Sequence, residues 1–94
     1  MALARVVSFD AVDSARIAEM RSSIEQGERP AGLPATEIML LHDADTNTAL
    51  AIVFFENEDD YRQGDAVLSA MPSGDTPGRR TSVTRYEVAL RATG

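Results

Sequence analysis

The chain has 94 residues, of which 44% are hydrophobic, and its formal net charge is −6. This length fits one domain spanning residues 1–94, and a domain of this size buries only about 60–65% of its unfolded surface, so oligomerisation would add burial. The acidic balance argues against nucleic-acid binding, which depends on clustered Lys and Arg, and against an anionic membrane surface. The sequence has no cysteine, which excludes disulfides, thiolate catalysis and zinc sites built from cysteine.

Two further features bear on where the protein resides. The opening stretch MALARVVSF is too short, and too soon interrupted by Ser8 and Asp10, to be a signal peptide. No apolar run approaches the roughly 20 residues that a membrane-spanning helix needs. We therefore expect a cytoplasmic protein that does not enter a membrane.

The first half of the chain predicts a strand followed by a helix. ARVVSF (residues 4–9) is short, apolar and β-branched, as strands are. DSARIAEMRSSIEQG (13–27) predicts a helix that Gly27 would stop, and ERPAGLP (28–34) predicts a loop. Asp13 is the predicted N-cap, and the apolar stripe of this helix would consist of Ile17, Met20 and Ile24.

The second half predicts a hairpin, a helix and a last strand. TEIMLLH (36–42) and TALAIVFF (48–55) are apolar runs joined by the turn-forming DADTN (43–47). NEDDYRQGDAVLSAM (57–71) predicts a helix capped by Asn57, in which Gly64 indicates close packing or a kink. PSGDTPGRRT (72–81) predicts a loop and SVTRYEVALRA (82–92) a strand.

The predicted element order is β-α-β-β-α-β. This order is that of an α+β ferredoxin-like fold, a four-stranded antiparallel sheet with two helices on one face. In the hairpin both faces are apolar, whereas a sheet with one solvated face should alternate apolar with polar residues. We therefore predict a homodimer, in which a second copy covers the face without helices and the two sheets close around a lumen.

This element order, the two-sided hairpin and the stretches IVFFENEDDYRQGDAVLSAM and RRTSVTRYEVAL resemble the antibiotic biosynthesis monooxygenase-like family of dimeric α/β-barrel proteins, in particular its small uncharacterised bacterial members. The resemblance covers essentially the whole chain. It implies a homodimeric α/β barrel and a reaction without metal or bound organic cofactor. Members of the family oxygenate aromatic polyketides or degrade haem, with Asn, Trp, Tyr, Arg or His side chains between helices and sheet. This chain has no tryptophan, which departs from both patterns.

The candidate catalytic residues are His42, Tyr61 and Tyr86, and Asn47, Asn57 and Arg85 are of suitable types. If Tyr86 lies on the helix side with Val88 and Leu90, it would approach Tyr61, and a pocket tyrosine can orient a phenolic or keto substrate. The alternative is a core tyrosine whose hydroxyl reaches the surface.

The stretch HDADTN contains the only histidine, His42. A metal site needs three or four converging ligands, but neighbouring strand residues point to opposite faces, so the stretch predicts a hairpin tip rather than a metal site. His42 alone remains a candidate general base at a pocket mouth.

Three other charged stretches favour structural roles. Glu58, Asp59 and Asp60 suit the start of a helix, and GDTPGRRTS lacks the spacing and lysine of a phosphate-binding loop. Arg85, Glu87 and Arg91 would share one face of the last strand and form ion pairs between subunits.

Two functions follow from the sequence. The first is a cofactor-independent monooxygenase, or a binder of a small aromatic or apolar molecule, with a preformed cavity between helices and sheet. Phe54, Leu68 and Met71 would line this cavity together with the candidate polar groups. The second is a non-catalytic homodimeric module with no cavity as large as about 300 Å³ in that gap.

Overall fold

The computed structural model describes residues 2–27, 32–71 and 78–92 of the chain. The predicted order of four strands and two helices is confirmed. The elements are β1 Leu3–Asp10, α1 Ser14–Glu25, β2 Glu37–Asp43, β3 Thr48–Phe55, α2 Glu58–Ser69 and β4 Arg79–Glu87.

The four strands form one antiparallel sheet in the order β2-β3-β1-β4, the ferredoxin-like arrangement. Pairing of Arg5 with both Val53 and Arg85 fixes which side chains share a face, because directly opposed residues point the same way. The register of β1 against β4 shifts between Ser8 and Phe9, which marks a bulge.

Both helices pack on one face, which we call the helical face. Ile17 of α1 belongs to a buried cluster with Val7, Phe9 and Ala49. Tyr61 of α2 belongs to a second cluster, centred on the fully buried Phe55. The helical-face positions of the strands are Leu3, Arg5, Val7, Phe9, Ile38, Leu40, His42, Ala49, Ala51, Val53, Phe55, Val83, Arg85 and Glu87.

The opposite face, which we call the open face, is mainly apolar along β1, β2 and β3, as the hairpin pattern predicted, and polar along β4. Within the described residues neither helix packs on it, and Met39, Leu41 and Leu50 are exposed there although all three are large and apolar. The open-face positions are Ala4, Val6, Ser8, Glu37, Met39, Leu41, Leu50, Ile52, Phe54, Ser82, Thr84 and Tyr86.

The last strand differs from its predicted range of 82–92. It begins at Arg79, because Arg79 and Arg80 pair with the end of β1, and it ends at Glu87, opposite Leu3. The predicted loop at 72–81 is therefore too long, and its residues 72–77 lie outside the described residues, as do residues 28–31 of the predicted loop at 28–34. Among the three described segments, no helix is both long and apolar enough to cross a membrane.

Candidate functional site

The start of α2 places Tyr61 against the sheet. Asn57 caps the helix by accepting a hydrogen bond from the backbone N–H of Asp60 at 2.8 Å, and acidic residues 58–60 occupy the first turn, where the helix dipole favours them. One turn later, Tyr61 is buried, and its ring meets the edge of Phe55 at a centroid distance of 5.4 Å. The capping therefore fixes which residue of α2 enters the core.

Arg85 of β4 lies directly beside Tyr61. Its guanidinium carbon is 5.3 Å from the centre of the Tyr61 ring, a cation–π distance, and its Nη1 donates to Glu58 Oε1 at 3.3 Å. The Arg85 side chain remains about half exposed. Of the six residues that the sequence singled out, the structure brings this pair together, on the helical face.

Arg5 of β1 is the buried arginine next to Tyr61 and Arg85. It lies opposite Arg85 on β1 and is only 2% exposed. Its Nε donates to Asp65 Oδ1 at 2.8 Å, and its Nη2 donates to Ser69 Oγ at 3.3 Å. Like charges on directly opposed strand residues repel, so this arginine pair depends on the carboxylates that α2 supplies, Asp65 and Glu58.

The surroundings of Tyr61 favour its neutral form. Burial raises the pKa of its hydroxyl and the negative charge of Asp65 raises it further, while Arg5 and Arg85 lower it in part. The net result is a pKa above the ordinary tyrosine value. At neutral pH the site therefore combines a protonated phenol, which can donate a hydrogen bond, with the positive charge of Arg85.

The cluster borders solvent because the helical face of β4 is left uncovered. Val83 is 43% exposed beside Arg85, and every residue of β4 is exposed. We call this region the α2–β4 cleft. Tyr61 and Arg5 are its buried members, and Val83 and the Arg85 guanidinium are exposed to solvent. It is formed by Arg5, Tyr61, Asp65, Ser69, Val83 and Arg85.

His42 lies elsewhere on the helical face, at the hairpin end of β2. Its Nε2 is 2.8 Å from the carbonyl oxygen of the fully buried Val12. A carbonyl only accepts, so Nε2 carries the hydrogen and the imidazole anchors the segment that leads into α1. This contact gives His42 a structural role away from the α2–β4 cleft.

The stretch after His42 is a hairpin tip, as predicted. Residues 44–47 form the turn, and Asp43 Oδ1 accepts a hydrogen bond from the Asp45 N–H at 3.0 Å, as turn aspartates commonly do. Asn47 takes a left-handed backbone, and its carbonyl accepts from the Val12 N–H at 2.8 Å. Within the described segments, no three His, Cys, Asp or Glu side chains are placed to hold a metal ion.

Tyr86 lies on the open face, and the proposed approach to Tyr61 on the helix side is therefore wrong. It pairs with Ala4, which also pairs with Phe54, and it is 54% exposed. The predicted cavity of Phe54, Leu68 and Met71 fails for the same reason, since Phe54 points to the open face whereas Leu68 packs in the Phe55 cluster.

The predicted charge row on the last strand is also wrong. Arg85 and Glu87 occupy the helical face, but β4 has ended before Arg91, whose Nη2 donates to Glu37 of the same chain. Arg85 likewise finds its carboxylate, Glu58, within the chain.

Sequence reasoning missed Arg5 and Asp65. The available signal was a lone arginine inside the apolar run ARVVSF, at a position that alternation places among inward-facing residues. An inward-facing arginine needs a carboxylate partner, but the sequence does not identify which of the fifteen acidic residues supplies it.

Comparison with protein-family models, with curated proteins and with solved structures finds no match to this chain.

Proposed function

We propose that this protein is a homodimer that binds a small aromatic molecule carrying an acidic group in the α2–β4 cleft. The observation that carries the proposal is the contact of Tyr61 with Arg85 at the uncovered edge of the helical face. An aromatic ring would lie against Tyr61 and Val83, and its acidic group would reach Arg85. Reaction of the bound anion with O₂, without metal or organic cofactor, is the activity that the family resemblance implies.

The charges of the cleft support an anionic rather than a cationic ligand. Arg85 shares Glu58 with Arg62, whose Nη2 is 3.5 Å from the same Oε1. Glu58 therefore neutralises Arg85 only in part, and a bound carboxylate or phenolate would pair with the remaining positive charge of Arg85. The neutral hydroxyl of Tyr61 would donate a second hydrogen bond, and together the two groups would stabilise a developing oxyanion.

The homodimer is supported by the open face. Its four strands of seven to nine residues cover, at about 4.8 Å between strands and 3.3 Å per residue, on the order of 500 Å² in projection. Side-chain relief makes the accessible area larger, so the face is comparable to the roughly 800 Å² per partner of a stable interface. A second copy is its simplest cover, since both copies carry the same surface, which is mainly apolar on β1, β2 and β3.

The β4 edge of the sheet favours face-to-face association over pairing through that strand. β4 carries Arg79, Arg80 and Arg85, and the register shift opposite Ser8 and Phe9 distorts it. Charged side chains and bulges are the devices by which proteins block edge pairing.

Ligand binding is tested with 2-naphthoate and with naphthalene-2-methylamine, a cation of similar size, by calorimetry. We expect the wild-type protein to prefer naphthoate, Arg85→Gln to weaken naphthoate binding at least tenfold, and Tyr61→Phe to weaken it less. Arg62→Gln is the matched control, because Arg62 binds the same Glu58 carboxylate but is more exposed than Arg85, which lies over the Tyr61 ring. Equal losses in the two arginine variants, or no preference for the anion, would overturn the ligand proposal.

A non-catalytic homodimeric module is the second candidate function, and the dense packing of Tyr61 against Phe55 favours it. It predicts a dimer that binds neither naphthalene probe.

The homodimer is tested by light scattering coupled to size exclusion, which should give twice the chain mass of 10.1 kDa. Leu41→Lys on the open face should yield monomers. Val83→Lys on the helical face should not, although the two side chains are similarly exposed, at 46% and 43%. A monomeric wild-type protein, or dissociation by Val83→Lys alone, would contradict the open-face dimer.

A further inference from the structure

The segment after β4 crosses the end of the sheet. The Val88 N–H donates to the Ala2 carbonyl at 2.9 Å, which starts the crossing beside β1. Arg91 completes it, because its guanidinium carbon lies 5.1 Å from the centre of the Phe54 ring and its Nη2 donates to Glu37. Residues 88–92 therefore run from β4 at one edge towards β2 at the other, and Arg91 anchors them on the open face.

This anchored segment holds an apolar side chain out in solvent. Leu90 is 87% exposed, more than the other exposed large hydrophobic residues in the described part of the chain. Burial of a leucine side chain is favourable, so an ordered backbone that presents one to water forgoes that stabilisation unless a partner buries it.

A hollow lies at the opposite end of the open face, near the hairpin tip. It is an open depression of about 510 Å³. Leu41 and Leu50 provide its apolar surface, and Ser8 and Thr48 add hydroxyl groups. Asp10 and Asp43 are its two acidic side chains, and Asp10 also receives Arg79 at 3.1 Å. The hollow is therefore apolar inside with a net negative rim.

We infer that in the homodimer Leu90 of each copy packs into the hairpin-end hollow of the other. This inference rests on the proposed open-face dimer. A two-fold axis that runs between the sheets and across the strands lays the 88–92 end of one copy over the hairpin end of the second, so both hollows are filled at once. The segment is also compatible with the hollow in charge, because residues 88–92 contain no acidic residue that the aspartates of the rim would repel.

Cysteine cross-linking tests this placement cleanly, since the chain has no cysteine of its own. Leu90→Cys protein is mixed with Leu50→Cys protein and oxidised mildly, and the disulfide-linked species is measured on a non-reducing gel. Leu90 and Leu50 lie at opposite ends of the sheet in one chain, so a link between them forms between copies. We expect the mixed dimer to form at least tenfold faster than with Val83→Cys, an exposed control on the helical face.

A second variant tests the same contact without cross-linking. Leu90→Asp should raise the dimer dissociation constant at least tenfold, whereas Ala89→Asp, at an exposed neighbouring position, should change it little. Both sites are exposed, so both variants should fold. A stable dimer in which Leu90→Cys links no faster to Leu50→Cys than to the control would overturn this placement and leave the homodimer intact. A monomeric wild-type protein would remove both.

Discussion

Arg5 of β1 and Asp65 of α2 form an ion pair of 2.8 Å that joins residues 60 positions apart in the chain. Their surroundings are unequal, because the Arg5 side chain is buried whereas that of Asp65 is about half exposed. If Arg5 is removed, water can therefore hydrate the Asp65 carboxylate. If Asp65 is removed, water cannot easily reach the Arg5 guanidinium. This asymmetry predicts which partner tolerates removal.

Asp65→Ala should destabilise the protein by about 2–3 kcal/mol, because it leaves the buried Arg5 guanidinium with the Ser69 hydroxyl as its remaining partner on α2. Arg5→Met fills the same space without a charge and should cost less than that. The double variant should be more stable than Asp65→Ala alone, since no buried charge then lacks a partner. Urea unfolding measures all three, and a double variant with additive losses would contradict this account.

Gly64 of α2 is in contact with the Phe55 ring, which confirms the close packing that the sequence suggested. A Cβ at this position would overlap the ring edge of Phe55, which is fully buried, and would also press on Leu33 at 3.3 Å. Gly64→Ala should therefore destabilise the protein by about 2 kcal/mol or more, although alanine is intrinsically better in a helix by about 1 kcal/mol.

The control for Gly64 is the reverse exchange at an exposed site of the same helix. Ala66→Gly meets no packing constraint and should cost only its helix propensity, about 1 kcal/mol. If Gly64→Ala proved stabilising in thermal unfolding, the packing of α2 on Phe55 would be looser than described.

Alternation is a local property, so it correctly sorted the hairpin residues into two apolar sets, as with Ile38 and Leu40 against Met39 and Leu41. It did not indicate which set the helices cover, and Phe54 was therefore placed on the wrong face. The face of Tyr86 was not predictable in this way, because β4 is polar on both sides. The face of Tyr86 follows only from its pairing with Ala4, a residue 82 positions earlier in the chain.

The candidate site was predictable only in part. Its aromatic and cationic members, Tyr61 and Arg85, are residue types that the sequence singles out, but their contact arises from the packing of α2 on β1 and β3. Arg5 and Asp65 were not predicted as a pair, because an ion pair between distant residues leaves no periodic pattern in the sequence. The position of Arg91 was mistaken because β4 ends at Glu87, opposite Leu3, the first residue of β1.

His42 anchors the segment before α1, so its loss should lower stability. His42→Ala leaves the buried Val12 carbonyl without its 2.8 Å partner, and an unsatisfied buried acceptor costs about 1–3 kcal/mol. His42→Gln, whose amide nitrogen has a similar reach, should recover part of this. Urea unfolding measures both variants. Binding of 2-naphthoate should remain as in the wild-type protein, and a loss of binding in folded His42→Ala would place this residue in the ligand site.

Tyr61 should ionise above the ordinary tyrosine value of 10.0, because burial and the Asp65 carboxylate raise its pKa. The chain has two tyrosines, so Tyr86→Phe leaves Tyr61 as the only one, and its ionisation can be followed by ultraviolet absorbance. The folded state then holds a proton that the unfolded state has released. Stability contributed by neutral Tyr61 is therefore complete below pH 10.0 and falls as the pH rises through the folded-state pKa.

The control compares Tyr86→Phe with the double variant that also carries Tyr61→Phe. Both are unfolded in urea at a series of pH values from neutral to alkaline. The decline above pH 10.0 should be steeper when Tyr61 is present, because only then does ionisation of a buried phenol oppose folding. An absorbance midpoint at or below 10.0 would mean that the positive charges of Arg5 and Arg85 outweigh burial and the Asp65 carboxylate.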